Sequence, residues 1–207
     1  MLVFKAFSAL LSYPTEELRG ALPEIAEEIR RSRLVGPRER DGLLGLIAEI
    51  GHGELFDAEE RYVDLFDRGR ALSLNLFEHV HGDSRDRGQA MVELKRLYEA
   101  AGFELSGREL PDFLPVVLEY LSRRGLGEAR ELLADCAEIL AGIARSLAAR
   151  RSRYAAVLQA LLVIAGEKPI DVAKVPPVRE RAEALDRDWA EKPAFADAAP
   201  GDGQSGG

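Results

Sequence analysis

Apolar side chains recur every three or four residues along most of this chain, the spacing that places them on one face of an α-helix. One such stripe comprises Leu18, Leu22, Ile25 and Ile29, and a longer one runs from Leu132 to Leu147. No stretch alternates apolar and polar residues for long enough to predict a β-strand. The sequence therefore predicts an all-α protein that folds as a single-domain helical bundle.

The composition changes after Gly166, where proline and glycine become frequent. Residues 1–166 are predicted to form the helical domain, and residues 167–207 a Pro/Gly/Ala-rich tail that is mostly disordered. The exception is the segment around Trp189 and Phe195, because isolated large aromatic side chains are unusual in disordered tails. Residues 188–195 are therefore a candidate docking motif for the bundle or for a partner.

Local signals predict where several helices begin or break. Thr15 is a natural N-cap, and Pro23 is expected to kink or interrupt the helix that follows. In LPDFLP, residues 110–115, both prolines fit the first turn of a helix. The rest of that helix, Val116 to Leu121, is apolar on nearly every side and is predicted to be the central buried helix. The stripe from Leu132 to Leu147 is predicted to be one continuous helix.

The chain is acidic, with a formal net charge of −8 at pH 7. This argues against nucleic acid as a ligand, because binding phosphates requires a basic surface. The single cysteine, Cys136, excludes an intramolecular disulfide, and no apolar run approaches the roughly 20 residues that span a bilayer. The N-terminal stretch is interrupted by Lys5 and Ser8, unlike a signal peptide. We expect a soluble protein of the reducing cytoplasm, without stable membrane insertion.

A polar hinge, Glu78 to Gly88, separates two amphipathic helices near the middle of the chain. It contains His79 and His81, two of the three histidines, together with a dense cluster of charged residues. Because a connector between two helices does not require so many polar side chains, we expect this hinge to edge a peptide-binding groove.

The hinge sequence also closely resembles a known family. NLFEHVHGDSRDRGQAMVEL, residues 75–94, is similar to the signature of the NarJ-type nitrate reductase assembly chaperones, a branch of the TorD/DmsD group of redox-enzyme maturation proteins. The resemblance extends over roughly residues 1–165 and includes LSYPTEEL (11–18), ERYVDLFDRGRALSL (60–74) and ELPDFLPVVLEYL (109–121). WAEKPAF, residues 189–195, is similar to a short aromatic motif near the end of such chains.

The resemblance implies a cytoplasmic, TorD-like, all-helical chaperone that is not an enzyme. Such chaperones bind the N-terminal segment of the apo catalytic (alpha) subunit of respiratory nitrate reductase. They hold it open for insertion of the bis-molybdopterin guanine dinucleotide cofactor and delay its attachment to the membrane subunit, and they are absent from the finished enzyme. The chaperone itself would carry no cofactor, and cofactor-delivery proteins are further candidate partners.

A helical bundle can hold a client peptide by taking an amphipathic helix into an apolar groove with a charged rim. Aromatic and thioether side chains would form the floor, and acidic side chains on the rim would steer a basic client segment. The candidate client-binding residues are Tyr62, Asp64, Leu65, Phe66, Phe77, Glu78, His79, His81, Asp83, Arg87, Met91, Asp112, Phe113 and Glu119. For Tyr62, Phe66 and Met91 the alternative is an ordinary place in the core.

The polar candidates have alternative interpretations as well. Histidines two residues apart do not share a helix face, which disfavours a metal site; they are either pH switches of client affinity or structural groups bonded to the backbone. The Arg85–Arg87 cluster could receive a phosphate, but a solvated cap with ion pairs is favoured. Asp112 could merely cap its own helix. Glu119, in so apolar a helix, needs a basic partner from the bundle or the client.

Two other functions compete with the chaperone. One is a metal- or nucleotide-dependent hydrolase, which the histidine spacing and the absence of a GxxxxGK[ST] motif disfavour. The other is a helical scaffold or regulatory protein for another client. Without the resemblance, composition and spacing would predict only an acidic all-α binding module.

Overall fold

The computed structural model describes residues 1–67, 69–81, 85–105 and 109–178, with the side chains of His81 and Arg85 outside the described set. These residues form ten α-helices and no β-strand, which confirms the all-α prediction. The helices are α1 (Leu2–Leu10), α2 (Glu16–Arg31), α3 (Pro37–Gly51), α4 (Leu55–Phe66), α5 (Leu76–His81), α6 (Arg85–Ala100), α7 (Leu114–Ser122), α8 (Leu126–Asp135), α9 (Ala137–Ala149) and α10 (Ala155–Ala165). Single 3₁₀ turns lie at Arg70–Leu72 and Val172–Lys174. None of these helices is long and apolar enough to cross a membrane.

Helix α10 occupies the centre of the bundle. It packs against α3, α8 and α9, and side chains on all its sides, such as Val157, Leu158 and Leu161, are fully buried. A helix that is apolar all round is stable only where other elements cover it on every side. The prediction that Val116 to Leu121 form a buried helix is confirmed for four of its six residues, Val117, Leu118, Tyr120 and Leu121. The helix is not the central one, however, because α7 packs mainly on α1 and leaves its Val116 and Glu119 face half-exposed.

The predictions for Thr15 and Pro115 hold and that for Pro111 fails, whereas at Pro23 only the expected interruption is contradicted. Thr15 caps α2, since its Oγ1 accepts a hydrogen bond of 3.1 Å from the Leu18 amide, and Pro115 lies in the first turn of α7. Pro111, however, precedes that helix. Pro23 does not interrupt α2, because its ring is exposed and the carbonyl left without an amide partner can be solvated.

The apolar stripe from Leu132 to Leu147 is divided between two helices. Cys136 lies between α8 and α9 with φ −96° and ψ 2°, so the predicted continuous helix was wrong. Leu133 and Leu140, on either side of the break, are both buried. The apolar spacing therefore continues across a break that no glycine or proline marks.

The chain after Gly166 contacts the bundle at Ile170 and Val175. The side-chain amide of Gln159 donates to the Ile170 carbonyl oxygen at 2.9 Å and accepts from the Ile170 amide at 2.8 Å. Val175 is buried against Ala148 and Ala149. We call residues 167–175 the C-terminal strap. Trp189 and Phe195 lie outside the described residues.

Replacing Gln159 should release this strap. Gln159→Met removes both hydrogen bonds to Ile170 and should lower the free energy of unfolding by about 1–3 kcal/mol, because two backbone groups lose their partner. Urea denaturation measures the loss, and hydrogen exchange should show reduced protection of the Ile170 amide. Gln89→Met, whose amide bonds only the exposed Glu93, is the matched control and should change stability by less than about 0.5 kcal/mol. Equal losses in the two variants would contradict this role for Gln159.

Candidate functional site

Asp112 joins the first turn of α5 to the beginning of α7. Its carbonyl oxygen accepts from the Leu76 amide at 3.0 Å, and its Oδ2 accepts from the Phe77 amide at 3.0 Å. A third bond, from the Leu114 amide to the Leu74 carbonyl at 2.8 Å, completes a short antiparallel pairing. Asp112 therefore caps α5, which is distant in sequence, and not its own helix as the simpler interpretation expected.

The Asp112 carboxyl is fully buried. Among the described residues, its Oδ1 has no hydrogen-bond partner. Burial raises the pKa of Asp112, although the Phe77 amide and the nearby Arg87 guanidinium both act to lower it. This site therefore holds an incompletely satisfied polar group, which is rare in protein interiors.

Glu78 and Arg87 connect α5 to α6. Arg87 Nη2 donates to Glu78 Oε1 at 3.1 Å, and both side chains are largely buried. A hydrogen bond from the Ser73 hydroxyl and the charge of Arg87 hold the pKa of Glu78 below its usual range, against the opposing effect of burial. We call Phe77, Glu78, His79, Arg87 and Asp112 the hinge cluster.

Backbone contacts hold the rest of α5. The Arg70 guanidinium donates to the Glu78 carbonyl, and His79 Nε2 donates to the Ser73 carbonyl at 2.8 Å. This bond supports the structural interpretation of His79. Among the described residues, no group of three or more histidine, cysteine, aspartate or glutamate side chains could hold a metal ion. His81 ends α5, and Asp83 lies outside the described residues.

Tyr62 and Phe66 lie in a different part of the molecule, within an aromatic cluster that includes Tyr13 and Tyr154. Ring centroids are 4.8 Å apart for Tyr62 and Phe66, and 5.2 Å apart for Phe66 and Tyr154. The Tyr62 hydroxyl donates to the Leu11 carbonyl at 2.9 Å. With relative exposures of 5% and 8%, Tyr62 and Phe66 offer almost no surface to a ligand here.

The remaining candidates are more accessible. Leu65 and Met91 are half-buried, on α4 and α6 respectively, and Asp64 is exposed. Phe113 and Glu119 are half-buried and line one cleft.

This cleft, of about 280 Å³, lies between α1, α7 and the loop that follows α6. Its accessible lining is mainly polar and includes three carboxylates and Arg123, with a smaller apolar part; we call it the acidic cleft. The lining residues are Ser8, Ser12, Phe103, Glu104, Leu105, Glu109, Phe113, Pro115, Val116, Glu119 and Arg123. Arg123 lies over the Phe103 ring, with its guanidinium carbon 5.2 Å from the ring centroid. A second cleft shares Phe103, Glu104, Leu105 and Glu109 and continues to Tyr98, Glu99 and Pro111.

Of the eleven residues that line the acidic cleft, the sequence predicted two. Phe113 and Glu119 were among the candidates, whereas Phe103, Glu104 and Glu109 were not, because they lie in a loop without helical periodicity. The available signal was the alternation of apolar and acidic residues in Phe103, Glu104 and Leu105. Apolar surface beside acidic side chains complements a segment that is both apolar and basic.

The buried Asp112 carboxyl should make stability depend on pH. Because burial raises its pKa, the native state binds this proton more tightly than the unfolded chain, and stability is lost as the pH rises above the ordinary aspartate value of about 4. Asp112→Asn keeps an oxygen for the Phe77 amide and removes the charge. Relative to wild type, its free energy of unfolding should increase between about pH 4 and pH 7, by about 1.4 kcal/mol for each unit of pKa displacement.

Chemical denaturation of both proteins at several pH values measures this trend. Asp41→Asn, at an exposed position of α3, is the control for loss of one carboxylate and should change stability by less than about 0.5 kcal/mol. A decrease in the relative stability of Asp112→Asn as the pH rises would contradict the prediction.

Comparison with known proteins identifies the family. Residues 14–160 match the family described as nitrate reductase delta subunit. The chain is 44% identical to the Escherichia coli K12 protein named nitrate reductase molybdenum cofactor assembly chaperone NarJ, over 94% of this chain and 86% of that protein. It is 33% identical to a Bacillus subtilis protein that also carries the name NarJ, over 78% of this chain and 86% of that protein.

A solved structure shows the same fold. The protein, from Archaeoglobus fulgidus, is described as a redox enzyme maturation protein and is 22% identical in sequence. It aligns with a TM-score of 0.57 over 79% of this chain and 92% of its own. The chain therefore belongs to the nitrate reductase delta subunit family, in its branch of NarJ-type assembly chaperones.

Proposed function

We propose that this protein is a client-specific chaperone that binds the N-terminal segment of the apo catalytic subunit of respiratory nitrate reductase. The observation that supports this best is the 44% identity, over 94% of the chain, to a protein named as a molybdenum cofactor assembly chaperone of nitrate reductase. The work of such a chaperone is binding and release, so we propose no catalysis. The site of action is the cytoplasm, where the client is made.

The surface that we propose for the client combines the acidic cleft with the hinge cluster. The two are contiguous in the chain, because Asp112 belongs to the hinge cluster and Phe113 lines the cleft. Phe113 and Val116, both half-buried, offer apolar surface, with Glu104, Glu109 and Glu119 around it. A client segment with apolar side chains on one face and basic side chains beside them fits this arrangement.

Helices α5 and α6 supply further apolar surface. Val80 on α5 and Val92 and Leu97 on α6 are all exposed, although apolar side chains gain free energy when they are covered. Because Glu78 is already paired with Arg87, we propose that it positions α5 beside the client and does not itself attract a basic side chain.

Client binding would serve cofactor insertion. By covering the N-terminal segment, the chaperone holds the apoenzyme competent to receive bis-molybdopterin guanine dinucleotide and delays its attachment to the membrane subunit. The cofactor is cargo for the client, delivered by other proteins, and the chaperone keeps none. A helical scaffold for another client remains the alternative, and peptide binding separates the two.

Calorimetric titration with a peptide that copies the N-terminus of the catalytic subunit tests this function directly. We expect saturable binding, and the double variant Glu104→Gln/Glu119→Gln should weaken it by about tenfold, or about 1.4 kcal/mol, with a reduced dependence on salt. The matched control, Glu131→Gln/Glu138→Gln, removes two exposed carboxylates from α8 and α9 and should leave affinity unchanged. Circular dichroism verifies folding of each variant.

The titration tests the chaperone function and the location of the client site separately. Binding that both double variants retain equally would leave the function and move the client site away from the acidic cleft. No binding of the peptide by the folded wild-type protein would contradict the proposed function and favour another client.

The maturation role has its own measurement. When the catalytic subunit is produced without this chaperone, we expect it to contain less molybdenum per polypeptide and to appear on the membrane before it is loaded. Metal analysis of the membrane and soluble fractions measures both quantities. Full molybdenum loading in the absence of the chaperone would contradict this part of the proposal.

A further inference from the structure

A shallow groove of about 530 Å³ runs between α2 and α3, and it shares no lining residue with the acidic cleft or the hinge cluster. Leu22, Ala26 and Ile47 form its floor, and Pro23 and Ala48 present apolar surface to solvent. We call this the α2–α3 groove. Leu22, Ala26 and Ile47 are already largely covered, so the apolar surface left for another segment to cover is chiefly that of Pro23 and Ala48.

The charged residues that line the α2–α3 groove are basic. Arg19 is fixed in place, since its guanidinium donates to the carbonyls of Gly51 at 3.0 Å and Gly53 at 2.8 Å. Arg30 lies 3.9 Å from Glu27 in an exposed pair, which contributes little and leaves the guanidinium accessible. His52 completes the rim, and no carboxylate of the described residues lines the groove. On a protein of net charge −8, such a groove favours an acidic occupant.

The chain itself contains a segment of that kind. Residues 183–197 carry five acidic side chains against two basic ones, Arg187 and Lys192, a net charge of −3. The same segment contains Leu185, Trp189 and Phe195. We call residues 183–197 the acidic tail segment. Its large apolar side chains match the floor of the groove, and its charge matches the rim.

The linker to Trp189 sets how far the acidic tail segment can extend. The C-terminal strap passes the first turns of α3, where Arg38 and Gly42 line a cavity together with Ile170 and Asp171, and its Val175 then packs against Ala148 and Ala149 of α9. Ten extended residues between Val178 and Trp189 span at most about 33–36 Å, whereas the whole length of α3, 15 residues, is about 22 Å.

We propose that the acidic tail segment docks in the α2–α3 groove of its own chain, with Trp189 over the floor formed by Leu22, Ala26 and Ile47. This intramolecular contact covers apolar surface that is separate from the proposed client surface. It does not depend on the proposed function, and it can be tested without a client.

Trp189 is the only tryptophan of the chain, so fluorescence reports on the tail directly. In the full-length protein, we expect its emission to be blue-shifted and its quenching by acrylamide to be several-fold slower than in a free peptide of residues 183–197. The groove variant Arg30→Glu/Ala48→Glu should return both quantities to the values of the peptide. Its matched control, Arg145→Glu/Ala134→Glu, places the same changes at exposed positions of α9 and α8 and should leave Trp189 protected. Added salt should make acrylamide quenching of Trp189 faster in the wild type, because it screens the attraction between the tail and the groove.

Three results would overturn the proposal. Quenching of wild-type Trp189 as fast as that of the peptide would mean that the tail is undocked. Protection that the groove variant preserves would place the tail on another surface. Protection that disappears on dilution would mean that the tail occupies the groove of a second copy. The wild type and the two double variants are compared at equal helicity, which excludes unfolding as the cause of exposure.

Discussion

The arrangement of the hinge depends on one interaction, the capping of α5 by Asp112. A helix of six residues does not persist in isolation, because helix nucleation is unfavourable and few bonds follow. Asp112 supplies hydrogen-bond acceptors to the first amides of α5, and Arg70 donates to the Glu78 carbonyl toward the other end of that helix. The same residue precedes Phe113, so the backbone and side-chain bonds of Asp112 join α5 to the segment that forms the edge of the acidic cleft. Its raised pKa is the energetic consequence of burying a carboxyl where the backbone needs an acceptor.

Although the net charge of the chain is negative, its acidic cleft and its α2–α3 groove are lined by charges of opposite sign. The acidic cleft places glutamates around aromatic side chains, whereas the α2–α3 groove places arginines beside aliphatic ones. A client-specific chaperone must bind one segment and exclude others, and specificity of this kind comes from charge pattern more than from apolar area. Apolar surfaces whose rims differ in charge can therefore hold different segments in the same protein.

Aromatic residues show why the site was harder to predict than the fold. Tyr62 and Phe66 have helical spacing and belong to a segment that resembles the family, yet both are buried, Tyr62 against Tyr13 and Tyr154 and Phe66 against Tyr154, which are distant in sequence. Phe103 has no periodic context and nevertheless lines the cleft. Periodicity reveals which face of a helix is apolar, but it does not reveal whether another part of the chain covers that face. Only the packing of elements distant in sequence decides that.

The sequence by itself determined the helical class, the cap at Thr15 and the family, because each depends on residues close together in the chain or on a contiguous motif. Tertiary structure decided the rest. It made α10 the central helix in place of α7, divided the stripe at Cys136 and assigned Asp112 to cap α5. It also brought Glu104 and Glu109 beside Glu119. These features depend on contacts between distant residues, whose free energy no local pattern encodes.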